Sequence, residues 1–98
     1  MSDVKPFYWG AATASYQVEG GIENCDWAQA ARDGIVPTRG MACDHYRRFA
    51  DDFKLAKELG HNAHRFSIEW ARIEPEAGKF DESAIQHYRS VLRALEHE

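Results

Sequence analysis

The chain has 98 residues, enough for one small domain or a piece of a larger one. Hydrophobic residues make up 44% and charged residues 29%, an ordinary balance for a globular chain, with no low-complexity tract. A formal net charge of −4 and the absence of a basic cluster argue against a nucleic-acid partner, and no apolar run approaches the roughly 18 residues of a membrane span.

Met1-Ser2-Asp3 runs straight into Val4 and the first strand, without the charged-then-apolar pattern of a secretory leader. A cytoplasmic location is therefore expected. The aromatic and small residues from Phe7 to Ala12 predict a buried strand of a parallel sheet. Ala14 to Gly21 then turns polar and ends in paired glycines, which let the backbone turn sharply. Gln17 and Glu19 thus fall just past the carboxyl end of a strand, where α/β sheets bind ligands. A glutamine carries a donor pair and an acceptor, so Gln17 suits two adjacent hydroxyls or the backbone of its own turn. The residues alone leave both open.

Thr13 to Ala42 has no sustained period and reads as a long functional connection. Cys25 and Cys43, 18 positions apart, form neither a CxxC pair nor a disulfide framework. Free, buried or half-buried thiols are expected. His45 beside Cys43 lacks further ligands at zinc-like spacing, so no metal is expected. Cys43 or Asp44 opens a helix with Tyr46, Phe49, Ala50, Phe53, Ala56 and Leu59 at three-and-four spacing. Arg47, Arg48, Asp51, Asp52 and Lys54 read as its solvated face with i,i+4 pairs. Lys57 lies in the last turn and Gly60 ends the helix.

A second strand is predicted from Asn62 to Ile68. A covering helix takes His64, Phe66 and Ile68, which leaves Ala63, Arg65 and Ser67 facing inward. An inward arginine needs a carboxylate, because an unpaired buried charge costs several kcal/mol. Glu69 to Lys79 is another connection, marked by Pro75 and Gly78. Asp81 is the predicted N-cap of a last helix with Ile85, Tyr88, Leu92 and Leu95 on one stripe. The order is strand, long loop, helix, short turn, strand, long loop, helix, an α/β pattern with its elaborate segments at the strands' carboxyl ends. In a (β/α)8 barrel that end carries the active site.

Phe7, Trp9, Gly10, Ala12, Ala14, Ser15, Tyr16, Gln17, Glu19 and Gly21 resemble, position by position, the amino-terminal signature of glycoside hydrolase family 1, the β-glucosidase family. Cys43-Asp44-His45-Tyr46 resembles the segment opening the family's first helix. Arg65 to Ile73 resembles its Arg-Phe-Ser-Ile-Ser-Trp-Ser-Arg-Ile stretch, with Glu69 and Ala71 in place of serines and Glu74 where phenylalanine is common. These departures suggest a bacterial branch of the family.

The resemblance implies the amino-terminal βαβα quarter of a TIM (β/α)8 barrel, incomplete in this chain and without an internal boundary over residues 1–98. It implies a retaining β-glycosidase acting on β-glucosides or related β-glycosides, with two glutamates whose carboxyls lie ~5–5.5 Å apart. Those glutamates belong to Asn-Glu-Pro and Glu-Asn-Gly motifs, neither of which occurs here. Glu74-Pro75 and Glu23-Asn24 are only partial echoes, so both catalytic residues are expected downstream. No cofactor is implied, and the partner is a sugar. The family assigns Gln17 to the sugar and Arg65 to orienting the nucleophilic glutamate, with Glu19, Trp27 and Trp70 as loop support or rim. Lacking that nucleophile, Arg65 is expected to pair with another acid, Glu19 for example, or to stay in water. Two strands cannot close a barrel, so the chain alone is expected to be inactive and to self-associate or order only in part. The alternative is a non-catalytic carbohydrate-binding module using Gln17 and Trp27, or a structural fragment without turnover.

Overall fold

The computed structural model describes residues 7–98. Strands β1 (Gly10–Ala12) and β2 (Ala63–Arg65) pair in parallel, with Gly10 opposite Ala63 and Ala12 opposite Arg65. Asn62 extends the ladder at one end: its N–H donates to Trp9 O (2.8 Å), while its Oδ1 accepts from Trp9 N (2.7 Å). Thr13 N donates to Arg65 O (2.9 Å) at the other. Gly10 is required by this pairing, because a Cβ there would collide with the Ala63 carbonyl oxygen. Both strands are shorter than the sequence predicts. Each has a single neighbour, so little ladder forms to hold the flanks extended.

The stretch from Thr13 to Ala42 is less irregular than predicted. It contains α1 (Ser15–Val18) and α2 (Asp26–Arg32), and the second connection contains α4 (Trp70–Ile73). Helices of one or two turns are too short to show a period in the sequence. Local caps and distant anchors hold them instead: Cys25 Sγ accepts from Ala28 N (3.4 Å), and Asn24 Nδ2 donates to Ala71 O (2.8 Å). Cys25 is half-buried and Cys43 is exposed, which corrects the expectation of shielding for the second thiol.

The long helices match their patterns. In α3 (His45–Glu58), Asp44 stands at the N-cap with φ 53°, and Gly60 takes φ 91° just beyond the carboxyl end. In α5 (Glu82–His97), Asp81 Oδ1 accepts from Ser83 N (2.9 Å) and Ala84 N (3.3 Å). The helices meet over a core of Phe53, Ile73, Ala84, Tyr88 and Val91. The buried face of α5 is rotated from the predicted stripe: Ala84 and Val91 are inside, whereas Leu92 is 46% exposed. α5 packs against α3 and α4 together, and the position of that pair selects its face.

Charges on α3 are also paired differently from the predicted pattern. Arg47 and Arg48 approach the N-cap Asp44 at 3.7 and 3.8 Å, and Asp52 is taken by His45 Nδ1 at 2.7 Å. His64 faces the covering helix as predicted, its ring 5.3 Å from that of Phe53. Ile68 is 41% exposed, because strand alternation stops at Arg65.

Candidate functional site at the carboxyl ends of the strands

The segments after β1 and β2 leave the sheet at the same end and are stitched together. Ser15, the first residue of α1, donates from its N–H to Ser67 Oγ (2.6 Å) and from its hydroxyl to Glu69 Oε2 (2.7 Å). Glu69 caps α4 in turn, its Oε1 accepting from Ala71 N (3.4 Å). Serine suits the first turn here because its hydroxyl reaches a neighbour without crowding the backbone.

Glu19 closes α1 and is only 4% exposed. Its carboxylate accepts from Arg72 Nε (2.9 Å) and from the Tyr88 hydroxyl, which is 2.9 Å from each oxygen. Arg72 also donates through Nη2 to Gly20 O (2.8 Å), and its guanidinium lies 3.9 Å from the centre of the Tyr46 ring. Gly20 has φ 86°, and a Cβ there would strike Met41 O. Burial raises the Glu19 pKa, against the opposing pull of Tyr88 and Arg72. Burial likewise pushes the Tyr88 phenol up, and the charge of Glu19 adds to this. Glu19 therefore pairs with Arg72, not Arg65. Arg72 is supplied by α4, the helix hidden in the second connection.

Arg65 sits at the end of β2 and is exposed; among the described residues no carboxylate pairs with it. Gln17 is exposed on α1, and its Oε1 accepts from Ala14 N (3.2 Å), tying its own turn. That bond engages the acceptor, and Gln17 lines a hollow of about 400 Å³ together with Ala14, Ser15, Tyr16, Trp27 and Arg39. Trp27, 55% exposed, shares this hollow with Gln17. Trp70 does not line it. It is 57% exposed and donates from Nε1 to Glu74 Oε1 (2.9 Å). Glu74 also accepts from Gly78 N (2.8 Å), a bond that holds its carboxyl below the usual range.

Sequence reasoning thus missed Arg72, Tyr88, Ser67 and the capping role of Glu69. One signal was present: a tyrosine on a buried helical stripe needs a partner for its hydroxyl. Among the described residues no three His, Cys, Asp or Glu side chains come together as a metal site. The hollow joins the Gln17 amide and the Trp27 ring, and Arg65 is not among the residues lining it. The two inner carboxylates, Glu19 and Glu69, are both engaged in holding the loops.

The family model for glycosyl hydrolase family 1 matches residues 4–98. β-Glucosidase A of Acetivibrio thermocellus is 38% identical over 101 residues, covering 93% of this chain and 22% of that protein. The apo structure of a β-glucosidase designated 1317 superposes with a TM-score of 0.83 at 47% identity, covering 94% of this chain and 24% of the other. A family 1 β-glucosidase from Thermotoga maritima gives a TM-score of 0.80 at 37% identity, covering 93% and 23%. The chain thus spans less than a quarter of the length of these relatives. Its two βα units are an amino-terminal part of a (β/α)8 barrel.

Proposed function

The chain belongs to glycosyl hydrolase family 1, and from this premise we propose that it serves a retaining β-glycosidase, hydrolysing the O-glycosidic bonds of β-glucosides or related β-glycosides. In this reading the chain supplies part of the sugar pocket and a supporting cation, and further βα units supply both reactive glutamates. The supporting observation is the stitched pair of loops. Ser15, Ser67 and Glu69 bind the Gln17 segment to the segment that follows Arg65. Gln17 and Trp27 then hold the sugar, one by amide donors and the other by its ring face.

Arg65 stabilises the ionised nucleophile of the complete barrel through charge-assisted hydrogen bonds. Its lack of a carboxylate partner among the described residues supports that role. The chemistry follows two steps. One carboxylate attacks the anomeric carbon while the second glutamate protonates the departing glycosidic oxygen. Water activated by that second glutamate then hydrolyses the glycosyl-enzyme and frees the first. The reading extends to a cytoplasmic location. Two free thiols, one exposed, are compatible with a reducing compartment.

A hybrid barrel tests the proposal, with residues 7–98 replacing the matching part of the Thermotoga maritima β-glucosidase. It is expected to fold and release chromophore from an aryl β-glucoside, whereas the 98-residue chain alone releases none. A folded hybrid without turnover would overturn the reading. Turnover by the bare chain would overturn the assignment of both glutamates to other sequence.

A further inference from the structure

We propose that Tyr88 is a positioning residue for the sugar pocket: its hydroxyl, carried by a helix outside the sheet, fixes the loop bearing Gln17 against the loop that follows Arg65. The proposal rests on the functional reading of Gln17 and Arg65 given above.

Three contacts meet at this one oxygen. It accepts from Glu69 N (3.1 Å), in the segment four residues past Arg65. It donates to the Glu19 carboxylate, two residues past Gln17, at 2.9 Å from each oxygen. Tyr88 is 4% exposed and lies in the helical core with Phe53, Ile73 and Val91, so its position is set by packing. The core therefore dictates where both loops stand. A phenylalanine would fill the same volume, so the hydroxyl is dispensable for packing. It is the only atom of the side chain that touches both connections through hydrogen bonds.

Removing it leaves the Glu69 amide without its acceptor. It also leaves the Glu19 carboxylate with Arg72 as its remaining side-chain partner. The Ser15 bonds, Arg72 on Gly20 O and Tyr46 N on Glu19 O still hold the segment, so the fold survives while the Glu19 carboxylate and the Glu69 amide lose their shared tie. A small displacement of a group that orients substrate is enough to cost rate.

The test is a double-mutant cycle in the hybrid barrel, with Tyr88→Phe and Gln17→Ala made singly and together and kcat/KM read for an aryl β-glucoside. Tyr88→Phe is expected to lower kcat/KM by about 10-fold. In the Gln17→Ala background the same change is expected to cost less than about 2-fold, because no placed amide remains to be lost. Multiplicative losses, or an unaltered kcat/KM in Tyr88→Phe, would overturn the proposal.

Amide hydrogen exchange on the folded hybrid barrel gives an independent reading. Tyr88→Phe is expected to speed exchange at Glu69 and across residues 17–21 while α3 and α5 keep their protection. Faster exchange everywhere would reduce Tyr88 to a core residue and defeat the idea. An inactive unsubstituted hybrid would strike down the functional reading instead, with the exchange experiment still deciding whether the hydroxyl ties the loops.

Discussion

Glu19 is held in a site that burial makes hostile to a negative charge, and Arg72 is the group that answers it. Removing one member of a buried pair leaves the other uncompensated, which costs more than the pair contributes. Arg72→Met in the hybrid barrel is therefore expected to lower the unfolding free energy by about 3 kcal/mol. Adding Glu19→Gln should recover more than half of the loss, as read from urea midpoints.

The histidines set the pH dependence. Burial lowers the pKa of both His64 and His87 below 6.5, and Arg72 and His45 reinforce the shift at His87. The unfolded chain then binds more protons than the native one between the depressed values and 6.5. Their contribution is complete above 6.5 and is lost as the pH falls through the folded values. Glu19 acts in the opposite sense: its raised pKa favours the protonated form, so its contribution is present below 4.5 and declines as the pH rises through the folded value. Urea midpoints are expected to fall from pH 7 to about pH 5, with a shallower slope in His87→Gln. An unchanged slope would show that His87 does not titrate with folding.

The elements divide by length. α3 and α5 carry their own periodicity, and α5 also its own side-chain cap, whose loss would be felt locally. Asp81→Ala removes the acceptor for Ser83 N and Ala84 N and is expected to cost about 1 kcal/mol, seen as a lower urea midpoint in the hybrid. The short helices α1, α2 and α4 cannot persist alone. α1 depends on Ser67 and Glu69, and α4 on the packing of Ile73 and the hold of Glu19 on Arg72. Gln17, Trp27 and Arg72 lie on these dependent elements, so their placement is more sensitive to distant substitutions than the helical core is.

At the scale of the molecule, the radius of gyration is 15.7 Å, where about 13 Å is usual for a compact chain of this size. Phe7, Tyr8 and Trp9 are each more than 60% exposed, and no described side chain is fully sealed from solvent. Two strands leave both sheet edges unpaired. The bare chain is accordingly expected to sediment as concentration-dependent oligomers and to melt over a broad range. A sharp thermal transition of a monomer would contradict this.

Local pattern was enough to find both long helices, the approximate positions of the two strands and the N-cap Asp81. These features depend on neighbours a few residues apart, and their periods and caps are written in consecutive letters. What joins the loops was not readable in this way. Glu19 finds Arg72 across 53 positions and Tyr88 across 69, while Arg65, nearer in the sequence, is exposed and does not pair with it. A buried carboxylate demands a partner, but the path of the chain through α4 decides which one it receives. The sequence alone therefore determined the family pattern and the helical frame, and the tertiary structure chose the pairings, because only folding brings such distant charges within hydrogen-bond reach.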